Sequence, residues 1–189
     1  MTAFASGRKL AAEFGDMLFT HFGVSGPIIL RMSGAVVERH ERGERIELSI
    51  NLKPALDEAK LDGRLLREFA GTKTLRSAMK NVLPKALIPV ILGAVGIPAD
   101  KKCNQITSGE RKALAGLLRD LRLRVKRPRP IAEAIITRGG VDLKEIDPRT
   151  MESKKARGLY FCGEVIDIDG TTGGYNLQAA FSTAYLAAR

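Results

Sequence analysis

The alternation of apolar and polar positions along the chain predicts several short strands. Apolar side chains take every second place in residues 45–53 and again in residues 121–125, which is the period of a strand with one buried face. Residues 9–20 predict two short strands around Gly15 and Asp16. Residues 135–141 predict a further strand that runs into a glycine pair.

Helical spacing accounts for much of the remaining sequence. Ser25 is the predicted N-cap of a first helix, and Pro27 suits the first turn of that helix. Thr107 and Glu110 have the spacing of a capping box, and leucines then follow on one face of the predicted helix. Strands and helices therefore alternate without an obvious repeat, which indicates an α+β protein.

The net charge of the chain comes from one internal segment. The 189 residues carry a formal charge of +10, yet residues 64–130 hold sixteen basic and four acidic side chains. Such a segment fits a surface for nucleic acid or for the phosphates of a cofactor, and it equally fits a solvated face. No Phe, Tyr or Trp lies between Ala70 and Leu159, so the segment offers no stacking platform for unpaired bases. Binding to a duplex backbone stays open, because it requires charge and not aromatic rings.

Several classes of protein are excluded by composition. With 44% hydrophobic residues the chain can bury a core, and no apolar run approaches the about eighteen residues of a membrane span. Two histidines and two distant cysteines do not form a standard zinc site, so we expect no metal. We expect Cys103 to be exposed, with neighbouring lysines lowering its thiol pKa, and Cys162 to be a small core residue. The chain is expected to be cytoplasmic and not bound to a membrane.

The carboxyl-terminal stretch is the most informative part of the sequence. Residues 159–162 form an apolar run that predicts a strand buried on both faces, and Gly163 and Glu164 follow it directly. Gly173 and Gly174 then precede a predicted helix of small residues, and residues 171–189 contain no acid. An open, positive helix start beside glycines suits an electron-rich ligand. The alternative is an ordinary strand, loop and helix with a glycine-rich connection.

These residues resemble a known family at three places. The sequence GLYFCGEVIDIDGTTGGYNLQAAFSTAY, residues 158–185, resembles the carboxyl-terminal flavin motif of the NAD(FAD)-utilising dehydrogenases, the flavoprotein group related to aminoacetone oxidase. Residues 15–27 resemble a motif from the middle of that family. Residues 137–141 together with residues 147–154 resemble a third. The three matches occur in the family's order and cover nearly the whole chain.

The resemblance implies a particular domain organisation. In that family an FAD-binding domain is interrupted by an insert with a barrel-like strand part and a helical part. Residues 1–135 would then be the insert domain, with a basic helical subdomain at about residues 64–120. Residues 136–189 would be the closing strand, loop and helix of an α/β, Rossmann-like FAD-binding domain.

The resemblance also implies which residues contact FAD. Gly163 and Glu164 would lie near the ribityl chain and the pyrophosphate of the cofactor. The helix start would face the pyrimidine edge of the isoalloxazine, and the turn before residue 141 would approach the ring; the residues concerned are Gly173, Gly174, Tyr175, Asn176 and Leu177 at the helix start, and Thr137, Gly139 and Gly140 in the turn. NAD(P)H is a possible reductant of that flavin.

His21 is the candidate catalytic residue, because histidine titrates near neutral pH and this one lies beside a predicted helix start. The alternative is that His21 only fastens the junction between insert and flavin domain by hydrogen bonds.

The sequence departs from the family at one point. The G-x-G-x-x-G motif that cradles the pyrophosphate does not occur in this chain. We therefore expect the carboxyl-terminal part of an FAD-dependent oxidoreductase that acts on a small organic substrate, inactive alone and dependent on an amino-terminal FAD-binding half as partner. The alternatives are a basic nucleic-acid-binding module and a non-catalytic partner subunit. Nucleic acid is the less favoured partner, because the charged segment lacks aromatic residues.

Overall fold

The structure, a computed structural model, describes residues 1–171 and 173–189, so Thr172 in the glycine-rich loop lies outside the described residues. The chain divides into two compact units, residues 1–4 with 47–124 and residues 5–46 with 125–189. The mixture of helices and antiparallel strands confirms the predicted α+β class. The elements are β1 (Thr2–Ala5), β2 (Arg8–Ala12), β3 (Leu18–Thr20), β4 (Gly23–Ser25), α1 (Pro27–Glu41), β5 (Ile46–Ile50), α2 (Glu58–Glu68), α3 (Leu75–Met79), α4 (Ile88–Ala94), α5 (Ser108–Arg119), β6 (Leu121–Arg124) and α6 (Tyr175–Ala187).

Strands β1, β5 and β6 lie side by side in that order, and β5 runs antiparallel to β6. Leu48 lies opposite Leu123 and Ile50 opposite Leu121, so one face of the pair is apolar, as the two-residue period predicted. Ile50 is buried, whereas Arg122 on the other face is exposed. The guanidinium of Arg122 lies 4.9 Å from the centre of the Phe4 ring.

The helices of the first unit enclose its main core. Helix α2 packs against α5, and two ion pairs join them. The Arg111 guanidinium donates two hydrogen bonds to the Asp62 carboxylate, at 2.7 and 3.2 Å, and the Arg119 guanidinium donates one to the Glu58 carboxylate at 2.9 Å. Burial of apolar side chains at about 25 cal/mol per Å² is the main stabilising contribution here. The fully enclosed side chains of this core are Leu61, Leu65, Leu75, Ala78, Met79, Ile88, Ile91, Leu92, Leu114 and Leu118.

The capping box at the start of α5 is present as predicted. The backbone N–H of Glu110 donates to Thr107 Oγ1, and the Glu110 carboxylate accepts from the backbone N–H of Thr107 at 2.8 Å. Lys101 Nζ also donates to this carboxylate, at 2.6 Å. The Lys101 contact first, and the Thr107 N–H next, lower the pKa of Glu110 from 4.5 to about 2.

We expect Glu110→Gln to flatten the acid limb of the stability profile. Because the pKa of the folded carboxyl is depressed, its contribution is complete above about pH 4.5 and is lost as the pH falls towards 2. Thermal unfolding followed by circular dichroism should show a smaller drop in Tm across that interval for the variant than for the wild type. Glu41→Gln, at the exposed end of α1, is the control. Equal acid sensitivity of wild type and Glu110→Gln would contradict this assignment.

The second unit contains a hairpin followed by the longest helix. Strands β3 and β4 pair antiparallel, and His21 and Phe22 form the tip between them. Helix α1 begins one residue later than predicted, because its N-cap is Gly26 and not Ser25. At φ 100°, with a Cβ that would lie 3.0 Å from the Met17 Cα, Gly26 occupies a position that a residue with a side chain enters only under strain.

Two predicted strands are wrong. Residues 135–141 form no strand, and only Val141 makes an isolated bridge, parallel to Ile166. Residues 159–162 are not a buried strand either: Tyr160 makes one antiparallel bridge to Glu152 and is 47% exposed. A strand that is buried on both faces lies inside a sheet, with a neighbouring strand on each edge. Among the described residues, residues 159–162 have only the bridge between Tyr160 and Glu152.

The two cysteines are reversed relative to prediction. Cys103 is buried, and desolvation raises its thiol pKa, outweighing the opposing charge of Lys73. Cys162 is exposed. The prediction for Cys103 is wrong because its neighbours Lys102 and Asn104 are exposed while its own side chain joins the helical core. The prediction for Cys162 is wrong because the buried strand on which it depended does not form.

None of the helices in residues 1–171 and 173–189 combines the length and the apolar character that crossing a bilayer requires. The same residues hold no cluster of His, Cys, Asp and Glu that could bind a metal ion.

Candidate functional site

A shallow groove lies where α6 packs against the 3-10 turn Gly163–Val165. The helix presents small side chains at this contact, which lets the two segments approach closely. Thr183 ties them together: its Oγ1 accepts from the backbone N–H of Gly163 at 3.0 Å and donates to the Ala179 carbonyl at 2.8 Å. The groove is lined by Gly163, Glu164, Ile168, Asn176, Ala179, Ala180 and Thr183.

The loop that enters α6 is fixed by the side chain of Asn176. The backbone N–H of Gly170 donates to Asn176 Oδ1 at 2.6 Å, and Asn176 Nδ2 donates to the Gly170 carbonyl at 3.1 Å. A Cβ on Gly170 would lie 3.0 Å from the Tyr175 Cβ, so the loop passes the helix start with no room for a side chain. Asn176 therefore has a structural role at the site, which the sequence alone did not reveal.

The start of α6 carries no side-chain cap. Gly174 is the N-cap, with φ 88° in the left-handed region, and Gly173 has φ 128°. The first turn holds no acidic residue, so nothing on the helix neutralises its positive end. A Cβ on Gly174 would meet no atom within 4 Å, so space lies open in front of the first turn. Backbone N–H groups at such a start are donors for an electron-rich ligand.

Glu164 projects from the 3-10 turn at the groove. Its side chain is exposed, and it forms no hydrogen bond or ion pair with any residue that the structure describes. A carboxylate in this position can accept hydrogen bonds from hydroxyl groups of a ligand.

The turn at residues 137–141, predicted to contact flavin, lies against residues 165–167, which follow Gly163 and Glu164 of the groove. Val141 N–H donates to the Val165 carbonyl at 2.9 Å, and Asp167 N–H donates to the Val141 carbonyl at 3.1 Å. Gly140 is pressed so closely on this segment that its Cβ would lie 2.5 Å from the Val165 oxygen. Gly139 in contrast has open space around it.

Arg138, which sequence reasoning missed, sits in the middle of this turn. Its guanidinium lies 3.6 Å from a Glu38 carboxylate oxygen on α1 and 3.7 Å from Asp169 in the loop before α6. It is the residue between Thr137 and Gly139 in the Thr-Arg-Gly-Gly motif. Its position inside that motif is the sequence feature that could have indicated a role for Arg138.

His21 stands at the exposed tip of the β3–β4 hairpin. Its ring makes an edge contact with Phe22, with centroids 5.0 Å apart, and Arg129 lies 4.6 Å above the Phe22 ring. Among the residues that the structure describes, no hydrogen bond or ring contact joins His21 to the groove. The structure thus brings Gly140 of the turn against the segment beyond the groove, and Gly163, Glu164 and Asn176 line the groove itself, whereas His21 has no such contact with either among the described residues.

Helix α6 leaves a row of large apolar side chains in solvent. Leu177, Phe181 and Tyr185 follow one another at intervals of four residues and are 65%, 71% and 64% exposed. We call these three side chains the α6 apolar stripe. A contiguous patch of this kind marks an interaction surface more often than it marks an ordinary protein face.

The chain is similar in sequence to one protein family and to several curated proteins. Residues 1–136 match the family described as HI0933-like protein barrel and H2TH domain. The chain is 37% identical over 175 residues to a ribosomal RNA dihydrouridine synthase of Escherichia coli (strain K12), a match covering 92% of this chain and 42% of that protein. It is 32% identical over 179 residues to a protein of the same name from Haemophilus influenzae, covering 93% of this chain and 42% of the relative.

A third relative has a different named activity. The chain is 28% identical over 186 residues to a 3-dehydro-bile acid delta(4,6)-reductase of Clostridium scindens, covering 97% of this chain and 46% of that protein. The chain thus spans less than half the length of the curated relatives it matches. A reductase among the relatives agrees with the predicted flavoprotein and oxidoreductase class. Since the family match takes in residues 1–136 of 189, the chain belongs to the HI0933-like family, which is associated with flavin.

Proposed function

We propose that this chain is one part of a flavin-dependent reductase that adds two hydrogens to a carbon–carbon double bond conjugated with a carbonyl group. The names of two relatives support this reaction class. Dihydrouridine differs from uridine by two hydrogens on the double bond of its pyrimidine ring, next to a carbonyl. A delta(4,6)-reductase of a 3-dehydro-bile acid likewise acts on double bonds in conjugation with a ketone.

The observation that carries the proposal is the uncapped start of α6 beside Glu164. The residues present fit FAD: Gly173 and Gly174 permit close backbone approach, and the first turn of α6 carries no negative charge. When bound there, the cofactor supplies hydride chemistry, which no side chain of this chain provides. NAD(P)H is the proposed source of its electrons.

The predicted site residues have distinct roles in this proposal. The N–H groups of Tyr175 and Asn176 would face the pyrimidine edge of the isoalloxazine, with Leu177 in the same first turn. Glu164 would accept from a ribityl or ribose hydroxyl, and Gly163 would leave space for the pyrophosphate. Thr137, Gly139 and Gly140 would form the turn against the ring. We propose His21 as the acid–base group, with the fastening of its hairpin as the alternative role.

The proposal includes a partner, which is an amino-terminal FAD-binding half. Two features support it: the α6 apolar stripe is exposed, and the apolar run at residues 159–162 pairs on one edge only, through the bridge between Tyr160 and Glu152, among the described residues. With that half, residues 136–189 would close a Rossmann-like domain, and residues 1–135 would be its insert.

A titration with FAD, followed through flavin fluorescence, tests the proposal. The chain alone should bind weakly or not at all, and it should bind FAD stoichiometrically once mixed with the amino-terminal half of the Escherichia coli relative. Glu164→Gln should weaken the mixed complex, whereas Glu41→Gln on α1 should leave it unchanged. If the mixture with the folded half showed no FAD binding, the flavin proposal would be wrong.

A further inference from the structure

Several cations of the first unit are neutralised inside the unit: Lys60 pairs with Asp57, Lys101 pairs with Glu110, and the two arginines of α5 and Arg122 of β6 also pair with carboxylates of the unit. Other cations are exposed and have no ion-pair partner among residues 1–171 and 173–189. Four of these lie on and beside α3: Lys73, Arg76, Lys80 and Lys102. We call these four side chains the α3 cation cluster.

The backbone holds this cluster together. Thr74 forms an antiparallel bridge with Lys102, and Cys103 N–H donates to the Lys73 carbonyl at 3.0 Å, so the two lysines belong to adjacent segments. Arg76 N–H donates to the Ala99 carbonyl at 2.9 Å. Arg76 and Lys80 are one helical turn apart and so lie on the same side of α3.

Few carboxylates lie near the cluster. Between residues 69 and 109 the sequence has six basic side chains and one acidic side chain, Asp100. Of the acids just outside this range, Glu110 pairs with Lys101, and Glu68 accepts a hydrogen bond from Asn81. Leu75 and Met79 are fully buried, so the core holds α3 in place. Four cations on this frame form a site for a polyanion and not for a lone ion pair.

We propose that the α3 cation cluster binds the phosphate backbone of duplex RNA, and that it docks the RNA substrate of the reductase. The substrate class rests on the proposed function and on the ribosomal RNA named for two relatives. The choice of duplex rests on residues 70–158, which contain no aromatic side chain on which an unpaired base could stack. Phosphate contacts alone suffice to hold a duplex in position.

The test measures the affinity of the whole chain for a fluorescent RNA duplex of about 20 base pairs as a function of salt. The variant with Lys73, Arg76, Lys80 and Lys102 changed to Gln should bind about 100-fold more weakly at low salt. Its slope of log affinity against log salt should be shallower by about 3 to 4, close to one for each phosphate that is no longer neutralised. The matched control changes four exposed cations of the second unit to Gln: Arg8, Lys9, Lys144 and Arg149.

The two variants distinguish the local cluster from the overall charge. Retention of affinity and slope by the control, with loss by the cluster variant, supports the proposal, provided that both variants keep the wild-type circular dichroism spectrum. Equal loss by both variants would mean that net charge alone drives binding, and it would overturn the proposal. Absence of duplex binding by the wild type, or tighter binding to single-stranded RNA or to duplex DNA, would overturn it as well. Since no flavin takes part, failure here leaves the reductase proposal intact. Failure of FAD binding would leave the duplex contact standing and would remove only its role in docking a reductase substrate.

Discussion

Gly140→Ala is expected to unfold the turn that precedes the groove. The new methyl group would lie 2.5 Å from the Val165 oxygen, 2.8 Å from the Ile166 carbonyl carbon and 2.9 Å from the Asp167 nitrogen. All three are backbone atoms, and both the oxygen and the nitrogen are hydrogen-bonded to Val141, so the segment cannot move away without breaking those bonds. Overpacking of this kind costs about 1–3 kcal/mol, and the positive φ of 152° adds strain of about 1–3 kcal/mol.

Amide hydrogen exchange measures this effect locally. Val141 and Asp167 donate the two bonds that join the segments, so their protection should fall sharply in Gly140→Ala. Gly139→Ala is the matched control: it has φ 97° and open space, so it adds strain but no clash. If Gly139→Ala lost as much protection as Gly140→Ala, the close contact would not be what holds the turn.

Gly174→Val is expected to abolish flavin binding while the first unit stays folded. A β-branched residue does not tolerate φ 88°, so the N-cap would leave the left-handed region and the first turn of α6 would shift. The electrostatic contribution of a helix start is worth up to about 2 kcal/mol. Its loss, together with displacement of Tyr175 and Asn176, should weaken FAD binding by more than about tenfold in the mixture with the amino-terminal half.

Gly158→Val provides the comparison for this variant. Gly158 has φ 79° and open surroundings, so valine strains the backbone there to a similar degree, away from the residues that line the groove. FAD binding should survive Gly158→Val and fail in Gly174→Val, while the far-ultraviolet spectra stay alike. Stoichiometric FAD on Gly174→Val would refute the placement of the cofactor at this helix start.

The elements that the sequence predicted correctly are those whose pattern is local. The strand within residues 45–53 and the capping box of Thr107 and Glu110 depend on spacing within a few residues, and both occur. The strands predicted at residues 135–141 and 159–162 do not occur in the described structure. An apolar run becomes a strand only where a neighbouring strand accepts its hydrogen bonds, and the run itself carries no information about that neighbour.

At the candidate site, too, the sequence predicted the local features and not the contacts between distant residues. Glycines at positive φ were signalled by the motif, and Gly163, Asn176 and the helix start do converge on one groove. The hydrogen bonds that Asn176 and Thr183 make with Gly170 and Gly163 were not foreseeable, because each joins residues that come together only after α6 has packed. Spacing along the chain cannot show such contacts.

The opposite exposure of the two cysteines makes the chain suited to site-selective chemistry. Cys103 is enclosed in the helical core and its thiol is hard to ionise, so it is shielded from alkylating reagents. Cys162 lies in solvent, immediately before Gly163 at the groove. A maleimide dye would therefore attach at one position without any mutation, and its emission would report when a molecule enters the groove.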